Sequence, residues 1–363
     1  MKFIDEFRDA GLVRKLADKI AMISTRPARL MEFCGGHTVA IMRNGIRQLL
    51  PPGIEMLSGP GCPVCVTANS DIDRAIALAG LPEVIITTFG DMIKVPGSHS
   101  SLQQARAAGG DIRIVYSTQD ALQAARDNPH KRVVFLGVGF ETTAPTIASA
   151  VLQAEKEKIG NFSVLCQLKL TPPAMRALLD LGETRLDGII CPGHVSAIIG
   201  TQPYQAYARD YGVACVVAGF EPVDILQAVE MLVRQVEDGK ARVEIAYTRG
   251  VRPEGNLKAR ELMDSVFDTG SASWRGIGDI PQSGLRLKNK YAGYDASLRF
   301  EVEIPPAREH AGCRCGDILR GVIRPPDCLL FSKACTPENP VGPCMVSSEG
   351  SCAAYYQYGA SDG

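Results

Sequence analysis

Ile54-Glu55-Met56-Leu57-Ser58-Gly59-Pro60-Gly61-Cys62-Pro63-Val64-Cys65, followed by Asn69-Ser70-Asp71, is a short apolar run, a loop stiffened by Gly and Pro, and a set of helix N-cap residues. It reads as a strand–loop–helix unit with two thiols on its loop. The rhythm recurs. Leu30-Met31-Glu32-Phe33 leads into Cys34-Gly35-Gly36-His37 and a helical pattern that Pro51-Pro52 stops. Further strands are expected over 83–89, 112–117, 132–138, 162–168, 188–190 and 213–218. Strands alternating with helical patterns argue for parallel α/β sheets. Ligands in such sheets sit at the carboxyl ends of the strands. The unusual turns Cys34–His37, Gly139-Phe140-Glu141-Thr142-Thr143, Cys191-Pro192-Gly193-His194 and Gly219-Phe220-Glu221 all fall there.

The echoes between Cys34–His37 and Cys191–His194, and between the two Gly-Phe-Glu turns, predict two similar parallel-sheet lobes, 28–118 and 119–248, facing each other across a cleft. An N-terminal segment, 1–27, carries Phe3, Phe7, Leu12, Leu16 and Ile20 at near-helical spacing. It is expected to be a helix packed on the C-terminal domain. Beyond about residue 250, Pro and Gly break up the periodic runs, and six of the chain's 12 cysteines crowd into 313–352. A segment so poor in apolar runs needs another source of stability, and a metal centre would supply it. A smaller cysteine-rich domain is therefore expected over 249–363.

The remaining composition narrows the function. The 363 residues are 45% apolar and 22% charged, ordinary for a folded protein of two or three domains. With 39 basic and 40 acidic residues and no block of like charge, nothing marks a nucleic-acid or anionic-membrane surface. No apolar stretch has the length of a membrane span or the form of a signal peptide, so a cytoplasmic protein is expected. Twelve thiols in such a chain point to metal or redox chemistry rather than to a disulfide framework.

The Cys62/Cys65 pair is open between a redox dithiol and half of a metal site. Its place near a helix N-terminus predicts a lowered thiol pKa. With Cys34 and His37 it offers three thiolates and an imidazole, a set that suits iron or Cu(I) better than Mg²⁺ or Ca²⁺. His37 and His194 each follow a Gly at a strand end and are expected to line the cleft. His99, His130 and His310 lack that context. Glu141, with Thr142 beside it, is a candidate proton carrier or hydrogen-bond partner of the thiol loop, the plain alternative being a helix cap. Cys166 and Cys215 read as small core residues. Cys191 stands at a strand end like Cys34. The C-terminal thiols suit Zn²⁺ or an iron–sulfur cluster, and their spacing matches neither a paired zinc ribbon nor a ferredoxin run. No G-x-x-x-x-G-K-[ST] phosphate loop is present.

Phe33-Cys34-Gly35-Gly36-His37-Thr38, Gly59–Cys65, Gly139-Phe140-Glu141-Thr142-Thr143-Ala144-Pro145-Thr146, Cys191-Pro192-Gly193-His194-Val195 and Val341–Gly350 together resemble the HypD family of [NiFe]-hydrogenase maturation factors. The resemblance covers residue 30 to the C-terminus. It implies a scaffold on which the Fe(CN)₂(CO) unit is assembled, with a HypC-type chaperone, a HypE-type cyanide donor and, indirectly, the hydrogenase large subunit as partners. It also implies two α/β domains and a third holding a [4Fe-4S] cluster. By motif, Cys34 takes the iron, with Cys62 and Cys65 beside it, and His37, Glu141, Thr142 and His194 fall in the cleft motifs. The family's Cys-x14-Cys-x6-Cys-x16-Cys spacing selects Cys313, Cys328, Cys335 and Cys352 for the cluster, with Cys315 and Cys344 as substitutes. A different expectation is a stand-alone iron–sulfur-linked dithiol/disulfide oxidoreductase. A third is a zinc-stapled binding module with no redox role.

Overall fold

In a computed structural model, residues 5–359 are described. Phe3, part of the expected N-terminal helix, lies outside them.

Two parallel sheets carry the architecture. One has five strands in the order β2 (Ile54–Ser58), β1 (Ala28–Glu32), β7 (Gly188–Pro192), β8 (Ala214–Ala218) and β9 (Val243–Ile245). The other has four, in the order β4 (Asp111–Ile114), β3 (Val84–Thr88), β5 (Arg132–Gly139) and β6 (Phe162–Leu168). All pairings within both sheets are parallel. β3 and β8 are buried along their whole length, which is why they read as unbroken apolar runs rather than alternating ones.

The lobes are not the consecutive halves expected. The chain lays down two strands of the first sheet, builds the whole of the second, and returns to complete the first. A boundary at 118/119 falls inside the four-stranded sheet, between β4 and β5. Residue 118 instead opens the helix Thr118–Asp127, which Ser117 and Asp120 fasten with a reciprocal capping box.

The N-terminal helix runs over Ala10–Ile23, and Asp9 caps it by accepting the Leu12 amide at 2.8 Å. It packs on the helix Pro222–Asp238, with Ile20 fully buried among Leu30, Ile54 and Leu226. It thus joins the five-stranded lobe rather than the C-terminal region. Burying a side chain of this size is worth about 1.5–3 kcal/mol.

An antiparallel hairpin not read from the sequence, β10 (Phe267–Trp274) and β11 (Gly278–Leu287), packs beside β6 and the helix Thr171–Leu181. Its turn reaches the thiol loop. Thr67 bridges to Trp274, the Arg275 amide donates to the Val66 carbonyl at 2.9 Å, and Arg275 Nε donates to that of Thr67 at 2.8 Å. Trp274 is anchored in turn by Nε1–H···Oγ of Ser283 at 2.9 Å. Among the described residues no helix is long and apolar enough to cross a membrane.

Candidate functional site

The two thiol loops leave neighbouring strands of one sheet, because β1 pairs with β2 in register Glu32↔Ser58. They stand side by side, not across a cleft from each other. Gly35 donates its amide to the Gly61 carbonyl at 3.1 Å, and Gly59 donates to that of Glu32 at 2.8 Å. Residue 61 must be glycine for this approach: a Cβ there would stand 2.1 Å from the Cys34 amide nitrogen. Gly35 is pressed in the same way against the Glu349 backbone, where a Cβ would meet the carbonyl oxygen at 2.5 Å.

β1 also pairs with β7, so the Cys34-Gly35-Gly36-His37 and Cys191-Pro192-Gly193-His194 turns are adjacent too. Cys34 Sγ lies 3.6 Å from His194 Nδ1. His37 Nε2 is 2.9 Å from the Gly219 carbonyl oxygen, a contact that requires the proton on Nε2. His37 Nδ1 is buried and has no hydrogen-bond partner among the described residues. Burial first, then the neighbouring His194, lowers the His37 pKa to about 4, and burial lowers that of His194 to about 4. Both imidazoles are neutral at pH 7, and His37 keeps a free lone pair whose ring orientation is fixed by its other nitrogen. Metal-ligating histidines are held in this manner. Phe220 stacks on His37 with ring centroids 4.8 Å apart.

Glu32 is a residue that the sequence reading passed over as part of an apolar run. It is buried, accepts the Cys34 amide at 2.8 Å and the Thr38 hydroxyl, and so shapes the turn that presents the thiol. Burial, and after it the nearby Glu32 and Glu349 carboxylates, push the Cys34 thiol pKa up.

Cys62 and Cys65 have sulfurs 2.6 Å apart. The expected lowering of a thiol pKa by the helix N-terminus is not found at Cys65, which is raised, chiefly by burial. The expected helix runs over Asn69–Ala79, beyond Cys65, and the helix Pro63–Val66 that carries the thiol is a single turn, too short for its dipole to offset desolvation. Cys65 packs in one buried cluster with Cys344 and Cys315, whose sulfurs are 2.8 Å apart, and Cys313 lies against that cluster. One small cavity is lined by all six C-terminal cysteines together with apolar side chains. Cys352 there is raised by burial and then by Cys313, Cys335 and Cys328. Among the described residues no group of three or more His, Cys, Asp or Glu side chains stands as a ready-made metal cage. A surface cavity of about 930 Å³ lies at the amino ends of β1 and β2 and contains none of these residues.

Residues 11–359 match the family described as "HypD: Hydrogenase formation hypA family". The chain belongs to this family. It is 49% identical to the hydrogenase maturation factor HypD2 of Bradyrhizobium diazoefficiens, over 99% of this chain and 97% of that protein. It is 50% identical to HypD of Rhizobium leguminosarum bv. viciae over 99% and 96% of the two chains, and 44% identical to HypD of Escherichia coli K12 over 99% and 98%.

In this HypD-family chain, Glu141 makes its side-chain hydrogen bonds to Thr171 rather than to the cysteine–histidine group. Glu141 lies in the turn that follows β5 of the other sheet and accepts both the amide and the hydroxyl of Thr171, at 2.7 and 2.9 Å, at the start of the helix Thr171–Leu181. That is a capping role. Burial raises its pKa from 4.5 to about 7, against the lowering effect of those hydrogen bonds. The folded protein therefore holds this proton more tightly than the unfolded chain. The stability it contributes is fully present below pH 4.5 and lost as pH rises through 7. Glu141→Gln, which cannot ionise, is expected to raise the urea midpoint at pH 8 and flatten the loss of stability between pH 5 and 8. Parallel profiles for mutant and wild type would show that Glu141 does not titrate there. Cys191 and Cys215 are fully buried on adjacent strands, where their thiols donate to the carbonyls of Ile189 and Val213, at 4.0 and 3.7 Å.

Proposed function

We propose that this protein is the scaffold on which the Fe(CN)₂(CO) unit of [NiFe] hydrogenase is assembled, working with a HypC-type chaperone and a HypE-type cyanide donor. One observation carries the reading: a buried thiol, Cys34, stands beside two neutral imidazoles and is stitched backbone to backbone to the Cys62/Cys65 pair. A soft, buried, N/S donor set suits low-spin iron. Here the iron is cargo. Cys34 anchors it by its thiolate, His37 Nδ1 offers a lone pair, and Phe220 and the buried loops exclude water.

The donor chemistry at the C-terminus fits a resident cluster, since six free thiols surround one apolar-walled cavity. Cys313, Cys328, Cys335 and Cys352 would hold a [4Fe-4S] cluster, leaving Cys315 and Cys344 as a pair. When bound, such a cluster supplies electrons singly. The chain's own contribution is the row of thiols Cys315, Cys344, Cys65 and Cys62. Cys62/Cys65 and Cys315/Cys344 have sulfurs 2.6 and 2.8 Å apart and the two couples pack in one buried cluster, so two electrons and two protons stored as a dithiol at Cys315/Cys344 would pass to Cys62/Cys65 by thiol–disulfide exchange. That row also favours the second reading, a stand-alone dithiol oxidoreductase.

Infrared and Mössbauer spectra of the anaerobically isolated protein with its chaperone test both. Cyanide and CO stretches together with two iron environments are expected. Turnover of protein disulfides with no diatomic bands would favour the oxidoreductase, and a colourless zinc protein would overturn both.

A further inference from the structure

Part of the row of thiols lies in the wall of a solvent-open pocket. A cavity of about 290 Å³ opens between Pro96-Gly97-Ser98, the segment Arg308-Glu309-His310 and the turn Pro340–Pro343, and Cys313 and Cys315 are in its wall. Cys62, Cys65 and Cys344 are not. The pocket has a built polar lining. Arg275, only 6% exposed, is held over it by the carbonyls of Thr67 and Pro96, at 2.8 and 3.0 Å. Asn69, also in the wall, gives its Nδ2 hydrogens to the Arg308 carbonyl, which fixes the amide's orientation. Its Oδ1 is then left buried with no partner among the described residues, and a buried acceptor of this kind costs stability until something donates to it. The Arg308 amide is tied to Ser98 Oγ at 2.8 Å, and Ser98 in turn to Asp73, so the rim is fastened to the four-stranded lobe.

A matching ligand has carboxylates for Arg275 and Arg308, an amide N–H for Asn69 Oδ1, a positive group tolerated by Glu309, and a sulfur that reaches Cys315. The volume is at the lower end of the roughly 300–1,000 Å³ usual for small-molecule sites. It admits a short peptide and excludes the face of a folded domain.

We propose that this pocket binds a low-molecular-weight peptide thiol of the glutathione class and presents its sulfur to Cys315. The proposal rests on the thiol row of the preceding section. The ligand's thiolate attacks Cys315 Sγ of a Cys315–Cys344 disulfide; a mixed disulfide forms on Cys315, and Cys344 leaves as a thiolate. A second ligand thiolate attacks the ligand sulfur of that mixed disulfide and frees Cys315. Two peptide thiols become one peptide disulfide, and the protein gains two electrons and two protons. Cys344 then attacks Cys65 of a Cys62–Cys65 disulfide and Cys62 leaves. Cys315 resolves the Cys344–Cys65 bond, returning the first disulfide and freeing Cys65.

The test uses anaerobically purified full-length protein with Cys62–Cys65 oxidised, followed by differential alkylation and mass spectrometry. Arg308→Glu is expected to slow reduction by glutathione roughly tenfold, the loss of one charge-assisted hydrogen bond, and to leave reduction by uncharged 2-mercaptoethanol unchanged. In Cys344→Ser, glutathione disulfide should leave one glutathionyl group on Cys315. Equal glutathione rates in wild type and Arg308→Glu, or an adduct on another cysteine, overturn the pocket assignment. Cys315→Ser separates the two layers. If 2-mercaptoethanol still reduces Cys62–Cys65 at the wild-type rate in that variant, the row itself is wrong and the proposal goes with it. If it does not, the row stands and the glutathione comparison decides the pocket.

Discussion

Cys34→Ala is expected to remove the cyanide and CO bands from the isolated complex and to abolish hydrogenase maturation while leaving the protein folded. The side chain is 2% exposed, but the replacement is small and apolar, and the turn around it is held by backbone donors that alanine retains: the residue 34 amide to Glu32, and the Gly35 amide to Gly61. The stability cost is therefore modest. Loss of a supporting residue around a metal ion costs about 10–100-fold in affinity, and loss of the anchoring thiolate exceeds that range. On the proposed reading, a cluster held by the C-terminal thiols would give an internal control, because its absorption would persist. Bands and maturation that survive Cys34→Ala would move the anchor elsewhere, with Cys62 and Cys65 the next thiols to remove.

Gly61→Ala is expected to have the larger structural effect. The new methyl would sit 2.1 Å from the Cys34 nitrogen, 2.3 Å from the Phe33 carbonyl carbon and 2.4 Å from the Cys34 Cα. Those atoms are backbone and cannot rotate away, so the two loops must part and the Gly35–Gly61 hydrogen bond must break. Overpacking at a rigid site costs about 1–3 kcal/mol or more. A methyl meeting three backbone atoms belongs at or above the top of that range. Gly160→Ala is the matched control: no atom lies within 4 Å of the added methyl, and the measured stability should hold or rise by about 0.4–1 kcal/mol. Urea midpoints for the two variants, with maturation activity measured alongside, check this. A Gly61→Ala protein of wild-type stability and activity would mean that the loops are not locked together as described.

Strands β1–β8 are legible, most of them because burial on both faces leaves unbroken apolar runs, and β6 reads at its full length, Phe162–Leu168, whereas the half-buried β9 carries no such run and escapes notice. Their assignment to sheets was not, since local pattern carries no record of which strand a strand pairs with. The two Cys-x-Gly-His turns resemble each other and were placed in opposite lobes; they belong to neighbouring strands of one sheet. The β10–β11 hairpin was missed because polar and small residues such as Asp268, Thr269, Ser271 and Gln282 give it no apolar alternation. Within the site, sulfur and histidine chemistry drew attention to Cys34, Cys62, Cys65, His37 and His194. Glu32 escaped notice because a single acid in an apolar run reads as a solvent-facing strand position, whereas its carboxylate is buried and holds the Cys34 turn. Glu141 was singled out by its motif, but it caps a helix.

The order in which the first sheet is completed bears on how the protein is made. As the chain leaves the ribosome, β1 and β2 emerge first, yet their neighbour β7 arrives only after the entire four-stranded sheet has been synthesised. The second sheet is contiguous from residue 84 to 168 and is free to fold as a unit while the first waits with an open edge. Cys34 and the Cys62/Cys65 loop are thus translated early and enclosed late, and the Glu349 backbone that closes on Gly35 comes almost last. Vectorial synthesis keeps the pocket around Cys34 unfinished until the cysteine-rich segment is in place, so a truncated or stalled product would expose thiols that the complete fold encloses.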